Sequence, residues 1–117
     1  MSALSHTEAF NPATGESLGQ IPQNTLEDIQ YAVSRIRKAQ AKWTDLSFSE
    51  RGLHLRKMQA HLIEHGEEYA RIISADNGKT LADAYMTEIS SAVLAFDYYI
   101  KHSARVLRER RVKGSHI

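Results

Sequence analysis

Phe10-Asn-Pro-Ala-Thr-Gly-Glu-Ser-Leu-Gly-Gln-Ile-Pro22 (FNPATGESLGQIP) reads as a tight turn between two short apolar strands. Pro12 fixes its own φ and Gly15 is free to take a positive one, so Asn11-Pro12 and Thr14-Gly15 are both turn signals. Ala9-Phe10 and Ser17-Leu18 flank the turn, and Pro22 closes the second strand. These signals predict a hairpin over about residues 9–22. A lone hairpin is marginal in water and needs a surface to lie against. Whether this chain supplies that surface is the question its remaining sequence must answer.

Beyond the hairpin the pattern turns helical. Thr25-Leu-Glu-Asp28 has the form of a capping box, with an acidic residue three places after the cap. Behind it Ile29, Ala32, Val33, Ile36, Ala39 and Trp43 recur at helical spacing, which predicts an amphipathic helix over 25–44. Ser47-Phe-Ser-Glu50 is a second capping box, and opens a helix over 48–65 whose apolar face carries Leu55, Met58 and Leu62. Gly66 interrupts it. A third segment, 67–76, stops at Asn77-Gly78, a pair suited to a left-handed C-terminal cap. The last and longest helix is expected over 81–111, with Ile89, Ala92, Val93, Phe96, Ile100 and Leu107 as its stripe and Tyr85, Tyr98 and Tyr99 beside it. The fold class is therefore mainly α with a small N-terminal hairpin.

The chain has 117 residues, and 42% are hydrophobic and 25% charged, values ordinary for one globular unit. The net charge of +1 gives no general attraction to nucleic acid or to a membrane surface. Absence of cysteine excludes disulfides, thiolate metal sites and a cysteine nucleophile from these residues. No apolar run approaches the roughly 20 residues of a membrane span, and Met1 to Glu8 lack the pattern of a signal peptide. The expected location is cytoplasmic.

Three constellations could carry chemistry. His54, His61 and His65 fall within about 40° of one another on the second helix, and the last two have the i, i+4 spacing that chelates divalent metals. The residues after His61 are Leu62, Ile63 and Glu64, not the HExxH order, so the row reads as partly exposed histidines beside an apolar stripe. Asn77-Gly78-Lys79 resembles a phosphate-cradling turn only loosely: it lacks the GxxxxGK[ST] spacing and comes after a helix rather than a strand. Lys101, Arg105, Arg108, Arg110, Arg111 and Lys113 crowd the C-terminal end, where cations suit the negative pole of a helix dipole. They could also meet phosphates, with Tyr98 and Tyr99 stacking on bases. Neither GxSxG nor GxGxxG is present. From residues alone, no catalytic, cofactor-binding or metal residue is assigned.

Taken in order, the pieces resemble the N-terminal part of the aldehyde dehydrogenase superfamily. The resemblance rests on Asn11-Pro-Ala-Thr-Gly-Glu16, Ile21-Pro22, Glu27-Asp28-Ile29 and Ala32-Val33. It continues through Ala39-Gln40, Trp43, Leu46-Ser47, Glu50-Arg51, Leu62, Glu67-Glu68, Gly78-Lys79, Glu88 and Tyr98-Tyr99. No single piece is diagnostic; the ordered series, over roughly residues 9–108, is what is specific.

The resemblance implies an enzyme that oxidises an aldehyde to a carboxylic acid with NAD or NADP. In such enzymes a cysteine forms a thiohemiacetal, hydride passes to the nicotinamide, and a glutamate-activated water releases the acid. All of those groups, and the glycine-rich cofactor loop, lie downstream of the matching stretch. In the family this stretch is the outer layer of the cofactor-binding domain, a hairpin and helices covering a Rossmann-like sheet. The expectation is thus an N-terminal fragment that is inactive and holds no cofactor by itself. It should self-associate through helices shaped to cover a missing sheet, and bind neither nucleic acid nor membrane. The competing expectation is a free-standing helical interaction module whose basic end meets an acidic partner or nucleic acid.

Overall fold

The computed structural model describes residues 5–110. Strands β1 (His6–Phe10) and β2 (Ser17–Pro22) pair antiparallel, with His6 opposite Pro22 and Ala9 opposite Gly19. The hairpin therefore starts three residues earlier than residue 9. His6-Thr7-Glu8 carry no apolar alternation; backbone pairing extends the strand, helped by hydrogen bonds from Gln23 Nε2 to the Thr7 hydroxyl and from the Ser17 hydroxyl to Glu8, both at 2.8 Å. At the turn the Asn11 side chain accepts from Ala13 N–H at 2.9 Å, and Gly15 N–H donates to Asn11 C=O at 2.7 Å. Gly15 stands at φ 75°, the left-handed region that glycine enters freely.

Helix α1 (Leu26–Thr44) begins at the expected capping box, with Thr25 accepting from Asp28 N–H while the Asp28 carboxylate accepts from Thr25 N–H. Helix α2 (Phe48–Glu64) repeats the arrangement with Ser47 and Glu50. Helix α3 (Gly66–Asn77) ends on Gly78 at φ 77°, as expected. The fourth expected helix is not uniform. A short α4 (Leu81–Ala84) runs into a π-helical turn at Tyr85–Ser90 and then into α5 (Ser91–Val106).

Packing accounts for the π turn. Ala84 and Ile89 are five residues apart, which on a regular α-helix would point them about 140° from each other. The wider π turn brings residues i and i+5 onto one side, and both are buried together with Ala70 of α3. Gly66 lets α3 approach: a Cβ there would lie 3.2 Å from Ile89 Cγ2 and from the Tyr85 ring. Helix α5 stops at Val106, not Arg111. Leu107, expected on the stripe, is the C-cap and lies exposed, Arg108-Glu109-Arg110 offers no apolar side chain to pack, and Arg111 lies outside the described residues.

The apolar stripes meet two different fates. Helices α2 and α5 pack together, with Gly52 buried against Ile100 and Gln59 donating to the Val93 carbonyl at 3.0 Å. By contrast α1 buries no residue and packs no extended face on another element. Its stripe residues Ile29 and Ile36 are 51% and 65% exposed. Trp43, at the end of that stripe, is half-buried against Arg51 and His54. Tyr98 and Tyr99, expected beside the core, are exposed. Buried hydrophobics among the described residues are Ala70, Ala84 and Ile89. The radius of gyration is 20.2 Å, against about 13 Å for a compact domain of this length. The hairpin finds little to rest on: its turn meets α3 where Pro12 abuts Gly78. None of the described helices is long and apolar enough to cross a membrane.

Candidate functional site

The end of α2 gathers the densest set of ligating side chains. His61 and His65, one turn apart, bring their ring centroids to 4.3 Å. Glu64 joins them, so that one donor atom from each of the three lies within 4.8 Å of the others. The helix breaks at His65, whose φ of −104° and ψ of 15° let α3 start at once in a new direction. Two α3 residues meet the imidazoles, Glu68 as the i, i+3 neighbour of His65 and Tyr69 across the break. His65 Nδ1 is 3.2 Å from a Glu68 carboxylate oxygen, and His61 Nε2 is 3.0 Å from the Tyr69 hydroxyl.

His54 is not part of this group. It sits seven residues, or about 10 Å along the helix, before His61 and stacks at a tilt on Trp43, with centroids 5.8 Å apart. Of the three histidines singled out from sequence, the fold unites two. It adds Glu64, which the forward HExxH pattern does not select. The signal that finds it is the reversed order, His61-Leu-Ile-Glu64-His65.

The other two candidates are occupied by the chain itself. Lys79 Nζ is paired with Glu88 at 2.6 Å, its N–H donates to Asn77 Oδ1 at 3.0 Å, and its carbonyl accepts from the Ser74 hydroxyl. The Asn77-Gly78-Lys79 turn is a helix cap whose polar groups are already used. In the basic end, Lys101 pairs with Asp97 at 2.7 Å and Arg105 lies 3.3 Å from His102 Nδ1. Arg108 and Arg110 come after the helix rather than lying in it, and Arg111 and Lys113 fall outside the described residues.

Three helix N-termini, where a pyrophosphate would bind, are also taken, while α3 starts at His65 with no side-chain cap. Asp28 caps α1, Glu50 caps α2, and Thr80 with Asp83 caps α4. Hydrogen bonds from the Thr25 hydroxyl and then its backbone N–H hold the Asp28 carboxyl below the usual aspartate value. Ser47 does the same for Glu50. Each carboxylate therefore stays charged and fills the place of an outside anion. The two strands form an antiparallel pair, without the strand–glycine turn–helix unit that cradles a dinucleotide.

The sequence model of the aldehyde dehydrogenase family matches residues 1–116. This chain belongs to that family. A malonate-semialdehyde dehydrogenase of Oceanobacillus iheyensis is 41% identical over 78 residues, which cover 67% of this chain and 16% of that protein. Aldehyde dehydrogenase from Bacillus cereus superposes with a TM-score of 0.82 at 28% identity, over 95% of this chain and 23% of its own. Aldehyde dehydrogenase 21 from Physcomitrella patens, solved with the reaction product succinate, superposes at 0.80 with 25% identity, over 93% of this chain and 22% of its own. The chain thus spans about one sixth of the length of the curated dehydrogenase it matches. The sequence resemblance is borne out, and with it the hairpin-plus-helices arrangement.

Proposed function

We propose that this chain is the N-terminal part of an NAD(P)-dependent aldehyde dehydrogenase and serves as the covering layer of that enzyme's cofactor-binding domain. The observation that carries the reading is the uncovered apolar surface. Helix α1 has a regular apolar stripe with no residue buried, and the hairpin leaves Phe10 and Ile21 more than half exposed. Apolar faces of this size, on a chain whose family match spans one sixth of a relative, are what a layer made to lie on a Rossmann-like sheet would present.

The oxidation needs a thiolate nucleophile, and the 117 residues contain no cysteine. Cofactor binding needs an open helix N-terminus beside a parallel sheet, while the N-termini of α1, α2 and α4 are filled by their own caps. On this reading the chain alone neither turns over aldehydes nor holds the dinucleotide; in the whole enzyme it supports the domain that does. Titration calorimetry with NAD and NADP, run beside an absorbance assay for reduced cofactor with several aldehydes, tests this. We expect no binding at micromolar concentrations and no turnover above buffer. Micromolar binding or turnover would overturn it. Reading the encoding DNA past the codon for Ile117 is the complementary test: an in-frame continuation with a glycine-rich turn and a cysteine is expected, and a stop codon would remove the whole-enzyme part of the proposal.

A further inference from the structure

The elbow between α2 and α3 has the attributes of a built metal site. Its three donors come from one short segment, two imidazoles four residues apart and a carboxylate between them, with donor atoms within 4.8 Å of one another. Metal–ligand bonds of about 2 Å hold two donors at most about 4 Å apart, so small side-chain rotations would draw these three onto one ion. Their order, His61-x-x-Glu64-His65, is one in which other folds present the two imidazoles to zinc with the glutamate beside the ion. Beyond the donors, each imidazole has an outer partner. Glu68 accepts from His65 Nδ1 at 3.2 Å, which leaves the lone pair of Nε2 to bind an ion. Tyr69 lies 3.0 Å from His61 Nε2, and by accepting from it leaves Nδ1 as the donor atom. Histidines that hold metals are commonly oriented by a carboxylate or another oxygen on the second ring nitrogen. Glu68 also adds negative charge beside Glu64. His61 and Glu64 are exposed and His65 half-buried, so an ion can reach the donors from solvent.

We propose that His61, Glu64 and His65 form a binding site for a divalent cation of the zinc class, which clamps the elbow between α2 and α3. Two imidazoles and one carboxylate favour Zn²⁺ over the oxygen-seeking Mg²⁺ and Ca²⁺. Three protein donors leave a fourth position to water. The site is independent of the dehydrogenase reading, because none of its three donors is among the residues that carry the family resemblance.

The test uses the tag-free 117-residue chain and ZnCl₂ in metal-free buffer, followed by calorimetry. One site of low micromolar Kd is expected. His61→Asn with His65→Asn should weaken it by about 30-fold or more, and Glu68→Gln by about tenfold through loss of the imidazole's partner. His54→Asn should leave affinity unchanged. Imidazole ¹⁵N resonances give a readout in the unaltered chain: zinc should shift those of His61 and His65 and spare those of His54 and His102. No binding up to millimolar zinc would overturn the proposal. So would equal affinity in the double variant, or shifts confined to the other histidines.

Discussion

Gly78 shows how much one residue can be asked to do. Its φ of 77° closes α3, and a Cβ there would stand 2.9 Å from Pro12 Cγ at the hairpin turn. Both demands exclude a side chain, one through local backbone strain and the other through a contact across 66 residues of sequence. Gly78→Ala is expected to lower stability by about 1–2 kcal/mol from the left-handed backbone alone, with a further loss from the clash. Pro12→Ala removes the clashing Cγ. In that background the cost of Gly78→Ala should fall to the backbone part, which a double-mutant cycle by chemical denaturation would measure. Equal cost in both backgrounds would mean that the hairpin turn does not press on Gly78. The αL stop is legible in the sequence as Asn77-Gly78, whereas its partner Pro12 is not, because nothing local connects them.

At the level of the element, the capping boxes set where α1 and α2 begin, and they do so through carboxylates. Thr25→Ala or Ser47→Ala should each lower stability by about 1 kcal/mol, read from thermal melting by circular dichroism. Acid should mimic the loss. The folded carboxyl values of Asp28 and Glu50 lie below their ordinary ones because of the bonds from Thr25 and Ser47. Stabilisation from a lowered carboxyl is complete above the unfolded value, about pH 4, and disappears as pH falls through the folded value. Far-UV helicity is therefore expected to decline from about pH 5 downward, and less steeply in the Asp28→Asn, Glu50→Gln variant. An identical acid profile in that variant would assign the decline to other carboxylates. The π turn belongs to this scale too, and its cause lies outside the element. Residues 85–90 have no breaker among them; Tyr-Met-Thr-Glu-Ile-Ser leaves an α-helix until Ala84 and Ile89 must both meet Ala70.

Across the whole molecule, exposure governs behaviour. A 13.2 kDa chain with three buried hydrophobic side chains among its described residues and a radius of gyration of 20.2 Å leaves α1 and the hairpin uncovered. Exposed apolar surface of that extent seeks a partner, and a second copy is the partner always present. Light scattering at high micromolar concentration should give a mass above that of the monomer. Replacing Ile29 and Ile36 with Glu on the open face of α1 should shift it toward the monomer without loss of helicity. A monomeric mass throughout would show that these faces tolerate water.

What the sequence by itself determined is local. Thr25, Ser47 and Gly78 stop or start helices through bonds to residues two to four places away, so four residues suffice to see each boundary. His61 and His65 are legible for the same reason, since an i, i+4 pair shares a helix face wherever the helix is placed. Tertiary structure alone decided the rest. The break at His65 brings Tyr69 back onto His61, eight residues before it, and Gly66 lets α3 close on Tyr85 and Ile89. The helical phase then shifts by a π turn to bury Ala84 with Ile89. These outcomes depend on which distant side chains compete for the same space. A linear pattern records the period of a stripe, but the surface on which that stripe packs selects the phase and the partners.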